Sequence, residues 1–236
     1  MSKQKQAIVD WPLRYQQLAN GSENALLQQF YASAFNQPGA AIADVPFVAM
    51  DFETTGLDSE ADDIVSVGLV PFNLQRIYCK HSRHWVVQPR RNLHEESIII
   101  HGITHSEVDD APDFNRIIEP LLAALSGKVV VVHYAAIERP FLNNALLLRL
   151  HEGIEFALVD TMDIEKRALT ARQGLIGRLF NSKIGSLRLN DCRKRYSLPA
   201  YNNHNALTDA LATAELLQAQ LSHHYRLDTP IDDLWI

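Results

Sequence analysis

Two acids two residues apart, Asp51 and Glu53 in Asp51-Phe52-Glu53-Thr54-Thr55-Gly56, follow directly on the apolar run 45–50. In an extended strand alternate side chains share a face, so both carboxylates project together from the end of a buried strand. Two anions held that close repel and lose hydration unless one takes a proton or a cation lies between them. A hard divalent ion, Mg²⁺ or Mn²⁺, is the natural neutraliser because it prefers oxygen donors. Taken alone, the same residues also read as a solvated strand end entering a Thr-Gly turn, so the choice rests on whether further acids join them.

Two other stretches offer such acids. His204-Asn205-Ala206-Leu207-Thr208-Asp209 opens a long helical pattern through Leu221. Residues five apart on a helix point about 140° apart, so His204 and Asp209 converge only if His204 sits in the loop before the helix, where Asn202-Asn203 favours a loop. By itself the pair reads more simply as a histidine beside an N-cap and a surface aspartate. Between the two sites, Val129-Val130-Val131-Val132 reads as a buried strand and Ile137, Phe141, Leu142, Ala145 and Leu146 as the core face of a helix. Glu138 falls in the first turn of that helix, where the macrodipole favours a carboxylate. Apart from Glu119 it is the only acid between Asp113 and Glu152.

The ordered set of motifs resembles the DnaQ-like, or DEDDh, 3′→5′ exonucleases, over about residues 46–223. The resemblance is carried by F-V-A-M-D-F-E-T-T-G-L at 47–57, I-H-G-I-T at 100–104, V-V-H-Y-A-A-I-E-R-P-F-L at 131–142, V-D-T at 159–161 and H-N-A-L-T-D-A-L-A-T-A-E-L-L at 204–217. It implies an α/β, RNase H-like fold. It implies catalytic and metal-binding roles for Asp51, Glu53, Glu138 and Asp209, with His204 as the histidine of the family's name. It further implies substrate contacts from Phe52, Thr54, Thr55 and His101. The middle motif departs from the family's H-N-A-x-F-D by carrying Tyr134, Ile137 and Glu138. A glutamate reaches about 1.5 Å further than an aspartate, one carbon–carbon bond. A carboxylate acting on Mg²⁺ through a water tolerates that shift, so activity is expected to survive.

The implied chemistry uses two divalent ions, Mg²⁺ or Mn²⁺, roughly 4 Å apart on the scissile phosphate. In it Asp51 bridges the ions, Glu53 and Asp209 serve the nucleophile side, and Glu138 serves the leaving-group side. His204 takes the proton of the attacking water. The implied substrate is a single-stranded nucleic acid 3′ end, DNA before RNA, and the product a nucleoside 5′-monophosphate. The implied partner class is a DNA polymerase or sliding clamp. RNA trimming by the same site and a non-catalytic nucleic-acid or polymerase-binding module are the alternatives.

Composition agrees with one enzyme domain: 236 residues, 47% hydrophobic, suffice for a sizeable core. Cys79 and Cys192 lack pair spacing and no signal peptide is evident, which points to a reducing, cytoplasmic setting without a membrane span. Net charge is −6, yet Glu165–Arg195 holds nine basic residues against two acids. That stretch reads either as a phosphate-tracking face or as ordinary solvated surface. Gln173-Gly174 and Gly177 suggest a flexible loop inside it.

The patterning predicts strands at 46–53, 63–71, 82–88, 129–133 and 156–159, and helices at 114–126, 137–150, 161–170, 186–196 and 205–222, a mixed five-stranded sheet flanked by helices. Asp160 reads as the cap of the helix beginning at Thr161, and His101-Gly102 as a loop. Residues 1–44 are expected to form a helical extension to a domain at 45–236, as two short helices broken at Asn20-Gly21 that pack on the core or on a partner. The C-terminal Asp233-Leu234-Trp235 has a faint likeness to clamp-binding D-L-F peptides, but reads first as a tail docked on its own domain.

Overall fold

Burial along most of Phe47–Thr54 (β1) and Ile64–Phe72 (β2) makes these the centre of the fold in the computed structural model. It describes residues 9–91, 93–172, 185–201 and 204–236, leaving out the side chains of 96, 100 and 101. Arg83–Val86 (β3), Val129–Val132 (β4) and Leu158–Asp160 (β5) complete one sheet in the order β3-β2-β1-β4-β5. β1 runs antiparallel to β2 and parallel to β4, and β5 is parallel to β4. The sheet is therefore mixed and five-stranded, as expected, and every predicted strand is present within a few residues.

Among the described residues the α-helices are Trp11–Gly21 (α1), Ala25–Ala32 (α2), Glu95–His101 (α3), His105–Asp109 (α4), Asn115–Leu125 (α5), Ala135–Leu150 (α6), Thr161–Arg172 (α7), Leu189–Arg195 (α8) and Ala206–His224 (α9). No helix among the described residues is long and apolar enough to cross a membrane. Asp51 pairs directly with Gly68 across β1 and β2, so the two residues share a face. A Cβ on Gly68 would overlap the backbone of Ala206, which places the start of α9 on that face, immediately over Asp51.

The amino-terminal helices pack on the core. Trp11, Tyr15, Leu27, Phe30 and Tyr31 belong to the same buried cluster as the sheet. The Tyr15 hydroxyl accepts from Ala157 N–H at 2.8 Å and Tyr31 from Glu155 N–H at 3.2 Å. The carboxyl end closes the same region: Ile236 N–H donates to Leu158 C=O at 2.8 Å, covering the edge of β5. Leu234 and Trp235 are buried, with Trp235 edge-on to Phe35. The D-L-W segment is thus docked on its own domain.

Two expectations are corrected. His101 ends α3, a helix, and Gly102 at φ +72° is its left-handed cap. Four of the nine basic residues of that stretch are engaged in ion pairs. Arg193 is fully buried against Glu215, Arg195 pairs with the buried Glu165, and Arg167 and Lys194 pair with Asp163 and Asp191. The Arg193 and Arg195 pairs are turned into the fold, whereas those of Arg167 and Lys194 lie at the surface. The loop expected around Gln173, Gly174 and Gly177, with Arg178 and Lys183, lies outside the described residues, as do Asn202 and Asn203.

Candidate active site

Asp51 and Glu53 leave β1 on one face, and Asp209, in the first turn of α9, meets them there. One carboxylate oxygen from each of the three lies within 4.8 Å of the others. Glu53 and Asp209 are buried and Asp51 is partly exposed. Glu138 comes from the junction after β4, the strand beside β1, in the first turn of α6, 3% exposed. It is not among the three-acid group, but its charge is felt at Asp51.

The electrostatics record four carboxyl groups drawn together out of water. Burial, then the charges of Glu138, Asp209 and Glu53, raise the Asp51 carboxyl well above the usual carboxylate range. Burial and then Asp209 push Glu53 up to about 8. Burial raises Glu138, with Asp160 adding to it, and burial raises Asp209 against the bond and charge of His204. Such groups stay ionised near neutrality only if a cation joins them. The unsatisfied atoms agree: Asp209 Oδ1 and Glu138 Oε2 are buried without a hydrogen-bond partner. An all-oxygen donor set with orphaned buried carboxylate oxygens fits a hard divalent ion.

His204 stands in the loop before α9, exposed, at φ +70°. That left-handed turn aims its N–H at Asp209 Oδ2, 2.9 Å away. Asn205 caps α9 by accepting from Thr208 N–H at 3.1 Å. The loop is held from behind by Arg193, whose guanidinium donates to Ala212 C=O, Pro199 C=O and Glu215 at 2.7–2.8 Å. It also lies 4.6 Å from the ring centroid of Tyr201.

Phe52 points away from the acids into the core, 7% exposed. Thr54 Oγ1 donates to Gly56 C=O at 2.5 Å. Thr55 is buried, donating to Asp62 and accepting from Asp63 N–H, both at 3.0 Å. Both hydroxyls therefore brace the turn that leaves β1. The His101 side chain is outside the described residues.

The reading of Asp160 as a helix cap covered only half of what it does. One oxygen accepts from Met162 N–H at 2.8 Å in α7, and the pair accepts from Tyr134 and Ala135 N–H at 3.0 and 2.9 Å. One carboxylate thus starts two helices, which is why α6 begins two residues before the predicted Ile137. Gly68 and Arg193 were also not legible as site-building residues, because each acts on a segment distant in sequence. The left-handed Tyr134 carried no glycine or asparagine signal.

The exonuclease family matches residues 48–217. A PolC-type DNA polymerase III of Thermotoga maritima is 27% identical over 75% of this chain, which spans only 12% of that protein. The DNA polymerase III subunit epsilon of Treponema pallidum is 28% identical over 76% of this chain and 78% of its own length. Among solved structures, the nuclease domain of 3′hExo, a DEDDh family member, bound to rAMP, superposes with a TM-score of 0.62. It covers 78% of this chain and 96% of that one at 17% identity, and shares the fold. With its motifs in order on that sheet and the match spanning all four acids, this chain belongs to the exonuclease family, among the DnaQ-like enzymes it resembles.

Proposed function

We propose that the protein is a divalent-metal-dependent exonuclease that shortens single-stranded DNA from the 3′ end and releases nucleoside 5′-monophosphates. The observation that carries this reading is the convergence of Asp51, Glu53 and Asp209 within 4.8 Å, with the buried, unpartnered Oε2 of Glu138 adding its charge at Asp51. Bound divalent ions, Mg²⁺ or Mn²⁺ as a pair, would supply a nucleophilic water and neutralise charge on the phosphate and leaving oxygen.

The chain's own residues do the rest. Asp51, Glu53 and Asp209 hold their oxygens on one side of the phosphate position, and Glu138 holds its carboxylate on the other. His204, exposed beside Asp209, accepts a proton at the site's open edge. Buried Phe52 and Thr55 fix the direction in which β1 delivers its two acids, and Thr54 and His101 contact the terminal nucleotide. We place the enzyme in the cytoplasm, associated with a DNA polymerase, and treat residues 1–44 as its amino-terminal extension.

Chromatography of the products from matched single-stranded DNA and RNA tests the reading. Nucleoside 5′-monophosphates released faster from DNA are expected. Faster release from RNA would reassign the substrate, and absence of mononucleotides from both would overturn the activity.

A further inference from the structure

The turn between β4 and α6 carries a tyrosine where the backbone suits a glycine. Tyr134 has φ +97° and ψ +74°, a region that bulky L side chains adopt only under strain. The conformation is imposed from outside. Its N–H donates to Asp160 Oδ1 at 3.0 Å, the next N–H to Oδ2 at 2.9 Å, and its C=O accepts from Ile137 N–H at 3.0 Å.

The ring gains little from the fold in return. It is 47% exposed, and among the described residues its hydroxyl makes no hydrogen bond. Neither backbone preference nor packing accounts for a tyrosine here. Its position does. It stands one helical turn before Glu138, and a helical side chain leans toward the amino terminus, so the Glu138 carboxylate reaches back toward this turn. Asp160, which binds the Tyr134 N–H, also adds its charge to the shift of Glu138. The residue that bears the ring thus caps the helix whose first turn carries Glu138, and the ring is nearly half exposed there.

We propose that Tyr134 is a base-stacking residue for the strand whose end enters the acid cluster, an assignment that rests on the exonuclease reading above. An aromatic face stacks on any base, so the contact adds affinity without sequence preference.

The test is binding, read by fluorescence anisotropy in Ca²⁺, of two 5′-labelled single strands: one natural, one abasic over its last three nucleotides. Tyr134→Phe should bind both like the wild type. Tyr134→Ala and Tyr134→Gly should weaken the natural strand roughly tenfold and leave the abasic strand unchanged. Tyr134→Gly should also raise Tm, because glycine relaxes the left-handed turn. Natural-strand affinity that survives in both variants, or an equal loss on both strands, would overturn the assignment. A wild type that binds but never cuts would overturn the exonuclease reading, while the same affinities still decide Tyr134.

Discussion

At the scale of single residues, the acids are a source of instability that a cation removes. Asp51→Asn deletes one of four mutually repelling carboxylates. It should raise Tm in EDTA while lowering the exonuclease rate by more than roughly a hundredfold, since loss of residues that merely support metal ligands costs 10–100-fold. Thermal scans and initial rates on the same preparation check both halves. The pH dependence follows from the same groups. Glu53 holds its proton up to about pH 8 when folded, against an ordinary value of 4.5, and Asp51, Glu138 and Asp209 are raised as well. A raised folded value means that the stabilising contribution is complete below the ordinary value and lost as pH climbs through the folded one. Metal-free protein should therefore lose several degrees of Tm between about pH 5 and pH 8, at about 2–4 °C per kcal/mol. Excess Mg²⁺ or Mn²⁺ should restore it most at the alkaline end. Glu165 runs the other way: burial would raise it, but bonds from Arg195, Tyr196 and Gln220 outweigh this and lower it. Its loss of stability comes in acid, below this window.

At the scale of elements, the site exists because α9 can lie flat on β1 and β2. Gly68 provides the space: a methyl there would meet Ala206 main chain, which cannot move without carrying His204 and Asp209 with it. Gly68→Ala should cost about 1–3 kcal/mol by urea denaturation and depress turnover more than substrate affinity, because Asp209 shifts against Asp51. The strands and the helices that carry the four acids were legible because their apolar patterning is regular and uninterrupted. The helices α3 and α4 were not. Ile98-Ile99-Ile100 is β-branched and argues for a strand, while the acids at the start and Gly102 at the end decide for a helix. Arg193 misled for a different reason: its partner Glu215 sits on α9, distant in sequence, and a charge run gives no sign of which members turn inward. His204 lies before its helix, as it must to converge with Asp209, because residues five apart on a helix point about 140° apart.

For the whole molecule, α1, α2 and the carboxyl-terminal residues are all built onto the sheet's β5 side. α1 and α2 bond to the segment before β5 through Tyr15 and Tyr31, and Ile236 pairs with β5 itself. Asp160, which starts both α6 and α7, ends that same strand. Support for β5 is therefore support for the turn that carries Tyr134 and Glu138. Trp235→Ala should destabilise the fold by roughly 3–5 kcal/mol, the usual cost of truncating a buried tryptophan, seen as a lower urea midpoint. The acids would still converge in whatever fraction stays folded, so kcat per folded molecule should be retained.

The most direct test of the central claim is a denaturing-gel time course on a 5′-labelled single strand. It compares wild type and Asp51→Ala, each in Mg²⁺ and in EDTA. A ladder that shortens from the 3′ end in wild type with Mg²⁺ alone, and in none of the other lanes, is the predicted result. A ladder that persists in EDTA or in Asp51→Ala, or label released at once as a mononucleotide from the 5′ end, would contradict it.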